Sequence, residues 1–103
     1  MKLSEVILSH NEYVDSDETI HVVFAKKPDD RFQSFSEALV LKLSTEEMEL
    51  DLNQISNSKC IGFTYFLEMF IIQDFLGGLQ NTDNYNSNDD KVNRVIYYAE
   101  NDA

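Results

Sequence analysis

The sequence predicts one domain of the α+β class over residues 1–103, in which a small antiparallel sheet of three to four strands has helices packed on one face. A chain of 103 residues suits a single domain with one hydrophobic core. Apolar and polar residues alternate in the middle of the chain, as they do in strands. Apolar residues recur at helical spacing near both ends, which predicts the helices.

The first predicted helix and the first predicted strand are separated by a polar segment. A helix over residues 1–9 is predicted because four residues recur at near-helical spacing: Leu3, Val6, Ile7 and His10. Residues 11–18 are polar and acidic, which ends this helix. Residues 19–25 alternate, with Ile20, Val22 and Phe24 on one face, and therefore predict a strand.

A loop and a second strand are predicted next. Residues 26–36 contain the only proline and the pair Asp29-Asp30, so we expect a loop there. Residues 37–43 alternate again and predict a strand that has three leucines on one face: Leu39, Leu41 and Leu43.

The segment 46–52 has two interpretations. Met48, Leu50 and Leu52 alternate with acidic residues, as in a half-buried strand that would pair as a hairpin with residues 37–43. Ser44 and Glu47, however, have the spacing of a capping box, which marks the start of a helix. We favour the strand, and the helix remains the alternative.

The C-terminal half predicts a strand followed by two helices. Residues 62–69 are rich in Phe, Thr and Tyr and predict the strand, and residues 70–79 predict a helix that ends at Gly77-Gly78. Residues 81–90 are polar and predict an exposed loop. Asp89 or Asp90 is then expected to cap a last helix, whose apolar stripe is Val92, Val95, Ile96 and Ala99.

The charge of the chain indicates the kind of partner it can bind. Nineteen acidic residues oppose eight basic ones, giving a net charge of −11. Nucleic acids and anionic membranes are bound through basic patches, so this charge argues against both and favours a basic partner. The N-terminus has no signal-peptide pattern, and the single cysteine, Cys60, cannot form an internal disulfide. We therefore expect a cytoplasmic protein.

The sequence contains few of the residue patterns that catalytic sites use. Its two histidines, His10 and His21, lack partners at the spacing of a zinc motif. Three glycines, two of them adjacent, cannot build a phosphate-binding loop. We therefore expect a protein that is not an enzyme and that uses no cofactor and no metal.

The acidic residues are the candidate partner-binding site. On a strand, Glu47, Glu49 and Asp51 would be spaced by about 6.5 to 7 Å on one face, close to the spacing of phosphates along a nucleic-acid strand. An aromatic side chain such as Tyr13 or Tyr85 could anchor the partner. The full candidate set is Glu46, Glu47, Glu49, Asp51, Asp29, Asp30, Tyr85, Asp89 and Asp90.

Three motifs in residues 62–103 carry a family resemblance: Tyr65-Phe66-Leu67-Glu68, Ile72-Gln73-Asp74 and a final Tyr97-Tyr98-Ala99-Glu100-Asn101-Asp102-Ala103. They resemble a family of small acidic bacterial domains of unassigned biochemistry. Some of its members look like immunity partners in contact-dependent growth inhibition and related polymorphic toxin systems. The family offers no catalytic residues to transfer, so the resemblance implies only a functional class.

The leading hypothesis is an immunity protein that neutralises a cognate toxin, most plausibly a nuclease, by covering its basic active-site or substrate surface. Binding at a site remote from the toxin's active site is left open. The alternatives are a non-catalytic regulatory interaction module, whose acidity serves only solubility, and a nucleic-acid-mimicking inhibitor of another basic protein.

Overall fold

The computed structural model describes residues 1–49, 52–79 and 87–101. Short 3-10 turns occupy His10–Glu12, Pro28–Asp30 and Glu47–Glu49. The helices and strands in this part of the chain are α1 (Leu3–Leu8), β1 (Thr19–Ala25), β2 (Ala38–Ser44), α2 (Leu52–Lys59), β3 (Thr64–Glu68), α3 (Met69–Leu79) and α4 (Asn88–Asn101).

The three strands form an antiparallel sheet with β1 in the centre. Its order is β2-β1-β3, and β1 pairs with β2 in a register that runs from Thr19 opposite Ser44 to Ala25 opposite Ala38. The pairing of β1 with β3 shifts register between Val23 and Phe24. The predicted α+β class and antiparallel sheet are confirmed.

Both faces of the sheet are covered. Four consecutive residues of β1, Val22 to Ala25, are buried, and successive side chains of a strand point to opposite faces. Val23 and Ala25 join the larger core cluster, to which α1, α3 and α4 contribute. Val22 and Phe24 face the other way, towards Ile55 of α2. Three helices thus lie on one face, as predicted, while α2 lies on the opposite one.

The predicted helical stripes are confirmed where the structure describes them. Leu3, Val6 and Ile7 of α1 are completely buried, and His10 follows them into the interior. In α4 the buried residues are Val92, Val95 and Ile96. Helix α3, Met69–Leu79, agrees closely with the helix predicted over residues 70–79, but it continues through Gly77 and Gly78, so the prediction that the glycines end it is wrong.

The cap of α4 also differs from the prediction. The backbone N–H of Asp90 donates to the hydroxyl of Ser87 at 3.1 Å, so Ser87 caps the helix. Asp89 and Asp90 lie in the first helical turn, where their charges favour the positive end of the helix dipole.

The strand predicted over residues 46–52 is wrong for the residues described. Strand β2 ends at Ser44, the chain makes the 3-10 turn Glu47–Glu49, and α2 begins at Leu52. Strand β2 pairs with β1, and the described residues of the segment that follows β2 do not pair with it. Alternation of apolar and acidic residues over so few positions also fits a turn that leads into a helix. The Ser44–Glu47 pair of the alternative interpretation does form both capping-box hydrogen bonds, but they precede a 3-10 turn, and the helix begins only at Leu52.

None of the described helices combines the length and the apolar character that crossing a membrane requires.

Candidate partner-binding surface

Two acidic segments meet at one end of the sheet. Because β1 and β2 are antiparallel, the residues before Thr19 lie beside those after Ser44, and the N–H of Thr45 donates to the carbonyl of Glu18 at 3.1 Å. We call this surface the acidic end and define it by four exposed residues: Asp17, Glu18, Glu46 and Glu49. The strand pairing therefore places two of the predicted site residues, Glu46 and Glu49, beside two acids that the sequence analysis missed.

The turn after β2 is held by a reciprocal pair of hydrogen bonds. The N–H of Glu47 donates to the hydroxyl of Ser44 at 3.1 Å, and the N–H of Ser44 donates to the Glu47 carboxylate at 3.1 Å. Lys59 of α2 donates to the same carboxylate. This bond from Lys59, followed by those from Ser44, lowers the pKa of Glu47.

Glu47 therefore does not behave as the free contact residue predicted from the sequence, because its carboxylate holds the turn and α2 in place. The regular row of carboxylates along a strand is also absent from the described part of this segment, since Glu47 and Glu49 belong to a turn. Mimicry of phosphate spacing, which required that row, loses its structural basis.

The segment that carries Asp17 and Glu18 is fixed at several points. The carboxylate of Asp15 accepts hydrogen bonds from the backbone N–H of His21 at 2.9 Å and from its ring Nδ1 at 2.8 Å. From α3, the side-chain amide of Gln73 donates to the carbonyls of His10 and Tyr13 at 2.7 and 2.8 Å. These bonds hold the backbone on either side of Asp17 and Glu18, and the N–H of Ser16 donates to the carbonyl of Thr19 at 2.9 Å across the pair. The segment is therefore ordered before any partner arrives, which reduces the entropy cost of binding.

The aromatic anchors predicted from the sequence are not part of the described acidic end. Tyr13 is half-buried and packs edge-on against His21, with 5.4 Å between ring centroids. Tyr85 and Asp51 lie outside the described residues. Val14, which is 80% exposed, lies one residue before Asp15 and is the apolar side chain in this segment that a partner could cover.

Asp29 and Asp30 lie at the opposite end of the sheet. They form part of the turn Pro28–Asp30 after β1, and seven strand residues place them about 20 Å from the acidic end. Both adopt left-handed backbone conformations, with φ of 57° and 64°, which aspartate tolerates better than most residues. Lys27 and Arg31 flank the pair in the sequence, so the local charge there is mixed.

Asp89 and Asp90 are exposed at the start of α4, which packs against α1 and α3. No hydrogen bond or ion pair between described residues joins them to the acidic end. The predicted site residues that the structure describes thus occupy separate parts of the molecule, and of these only Glu46, Glu47 and Glu49 lie at the acidic end.

A cleft of about 500 Å³ lies between residues 31–33 and α4. The N–H of Phe32 donates to the Glu100 carboxylate at 2.6 Å and ties the two walls together. Arg31, Asn93 and Tyr97 are exposed polar groups on its lining. These three side chains offer hydrogen-bonding groups to a small polar molecule.

The described residues contain no group of three or more His, Cys, Asp or Glu side chains that could hold a metal ion. Cys60 is buried, and this burial raises the pKa of its thiol, which lowers its reactivity at neutral pH. His21 bonds to Asp15 and not to Cys60.

Comparison of the chain with protein-family models, with curated proteins and with solved structures gave no match.

Proposed function

We propose that this protein binds a basic protein partner through the acidic end, and that the partner is a nuclease toxin, which it neutralises as an immunity protein. The observation that carries the proposal is the meeting of Asp17, Glu18, Glu46 and Glu49 at one ordered end of the sheet. The resemblance of residues 62–103 to small acidic immunity-like domains supports the toxin as the partner's class.

Charge at the acidic end would act mainly on the rate of association. Clustered charges of one sign attract an oppositely charged surface over a Debye length of about 8 Å at physiological salt, and steering of this kind raises association rates by roughly 10- to 1,000-fold. A toxin that acts on nucleic acid has a basic substrate surface, because it must bind phosphates. An acidic protein on that surface would exclude the substrate.

The test uses the product of the gene immediately upstream, co-expressed with this protein and assayed for toxicity, complex formation and association kinetics. Glu46→Lys with Glu49→Lys should slow association by about tenfold or more, because it reverses two charges at the acidic end. We avoid Glu47 because its carboxylate holds the turn.

The matched control is Asp89→Lys with Asp90→Lys, which makes the same change in net charge at the start of α4. We expect the control to slow association much less than the acidic-end pair. Equal slowing by both pairs would show that only net charge matters and would remove the acidic end as the contact. An absence of both toxicity and complex formation would contradict the immunity function with this partner.

A further inference from the structure

The outer edge of β2 has backbone groups that the sheet does not use. In an antiparallel ladder, alternate residues direct their N–H and C=O groups towards the neighbouring strand and away from it. The N–H of Lys26 donates to the carbonyl of Glu37 at 2.9 Å, and the N–H of Thr45 donates to that of Glu18 at 3.1 Å. Odd-numbered residues of β2 therefore face β1, and even-numbered residues face outward.

Both ends of this outer edge are already paired. The N–H of Ala38 donates to the carbonyl of Met1 at 2.7 Å, and the N–H of Ser44 donates to the Glu47 carboxylate at 3.1 Å. Between them, no described residue hydrogen-bonds the outward N–H and C=O groups of Val40 and Lys42. We call Val40 to Lys42 the open stretch; Ala38 on one side of it and Ser44 on the other have hydrogen-bonded N–H groups.

The side chains along this stretch also suit an added strand. Leu39, Val40 and Leu41 are only half-buried, so apolar surface continues to the rim of both sheet faces. Proteins usually protect such an edge with charged side chains, a bulge or a covering segment. Lys42 is the one exposed charged residue within β2.

We propose that the open stretch of β2 receives an extended segment of the basic partner, which adds to the sheet as a strand beside Val40 and Lys42. This inference rests on the proposed function and names the structure that the partner presents. Backbone hydrogen bonds would supply affinity, and covering Leu39, Val40 and Leu41 would add apolar burial.

Charge decides between a basic partner and a second copy of this chain. A second copy would also carry a net charge of −11, and the repulsion between the two copies opposes self-association. Lys42 on the open stretch repels a basic side chain placed beside it, whereas Glu46 and Glu49 lie just beyond Ser44, at one end of the stretch, so a segment whose basic residues lie at that end gains attraction there. The occupant is therefore an extended basic segment.

The experiment uses a defined probe, a terminally blocked peptide of alternating lysine and valine, with amide hydrogen exchange and peptide affinity as readouts. In the free protein, the Val40 and Lys42 amides should exchange faster than those of Leu39 and Leu41, which face β1. Peptide binding should slow exchange at Val40 and Lys42 by about tenfold or more.

The variant Lys42→Pro removes one outward N–H that the described fold does not use, and proline is tolerated at such edge positions. Lys42→Thr is the control, because it loses the same charge and keeps the N–H. We expect Lys42→Pro to weaken peptide binding by about tenfold and Lys42→Thr to leave it unchanged or slightly stronger. The exchange measurement on the unmodified protein remains decisive if Lys42→Pro does not fold.

Protection at Val40 and Lys42 supports the inference. Absence of peptide binding, protection confined to the acidic end, or equal binding by both variants overturns it. The charge-reversal experiment uses a different probe, the upstream gene product, so either proposal can fail while the other stands.

Discussion

His10 is a buried histidine whose ring is incompletely paired. It is 8% exposed, and its Nδ1 has no hydrogen-bond partner among the described residues. Burial, followed by the positive charge of Lys91 on α4, lowers the pKa of His10 below its ordinary value of 6.5. The folded protein therefore holds this imidazole neutral at pH values where the unfolded chain would bind a proton.

This difference predicts that the free energy of unfolding decreases as the pH is lowered. Well above pH 6.5, His10 is neutral in both the folded and the unfolded protein, so its titration does not reduce the free energy of unfolding. As the pH drops below 6.5, the unfolded state takes up the proton first, so stability declines until the lowered folded-state pKa is reached. Urea denaturation between about pH 7.5 and pH 5 should show this decline, in a range above the ordinary pKa of the glutamates.

His10→Leu should flatten the pH dependence, because it removes the titrating group from the core. Val6→Ala serves as the control, because it shortens a completely buried side chain of α1 that does not titrate, so it should lower stability and leave the pH dependence in place. An unchanged slope in His10→Leu would contradict the assignment to His10.

The turn after β2 decides how the next element forms. Residues 46–52 satisfy two patterns, and over so few positions alternation cannot distinguish a strand from a turn followed by a helix. The reciprocal bonds between Ser44 and Glu47, together with the ion pair from Lys59, stabilise the turn and attach α2 to it. The spacing of the capping box was visible in the sequence, but the ion pair between Glu47 and Lys59 of α2 was not.

Ser44→Ala should test the contribution of the turn. It removes the oxygen that accepts the N–H of Glu47, and we expect it to lower the free energy of unfolding by about 1 kcal/mol, as the loss of a helix cap does. Ser58→Ala is the matched control, since the Ser58 hydroxyl donates to the carbonyl of Ile55 within α2 and has no other bond among the described residues. Alanine favours helix, so the control should be neutral or stabilising. Equal losses in both variants would argue against a special role for the turn.

Charge is distributed unevenly over the whole molecule. The acidic end gathers four exposed carboxylates, whereas Lys26, Lys27 and Arg31 lie towards the other end of the sheet, near Asp29 and Asp30. A net charge of −11 on 103 residues also means that like charges repel throughout the folded protein. Ion pairs such as Lys26 with Glu37 compensate only locally.

Salt should therefore stabilise this protein. Raising sodium chloride from about 0.01 M to 0.15 M shortens the Debye length from about 30 Å to 8 Å, which screens the repulsion between carboxylates. We expect the thermal midpoint to rise over this range. Sodium chloride is preferred to sulfate because sulfate stabilises proteins by exclusion from their surface. A midpoint that falls would show that attractive ion pairs outweigh the repulsion.

The candidate site was harder to predict than the elements. Glu46 and Glu49 were identified from local pattern, yet their neighbours Asp17 and Glu18 were missed because they belong to a segment distant in the sequence. The predicted pairing of residues 37–43 with the segment that follows them concealed the contact. Pairing that strand with residues 19–25 would have revealed it.

By itself, the sequence determined the α+β class, the extent of β1, the buried stripes of α1 and α4 and the strong negative charge. These properties depend on composition and on periodicity over a few residues, and both can be counted along the chain. Only the tertiary structure decided that β2 pairs with β1, that α2 covers the second face, and that Glu18 lies beside Thr45. Strand pairing joins distant residues through packing and backbone hydrogen bonds, and local periodicity does not specify which strands become neighbours.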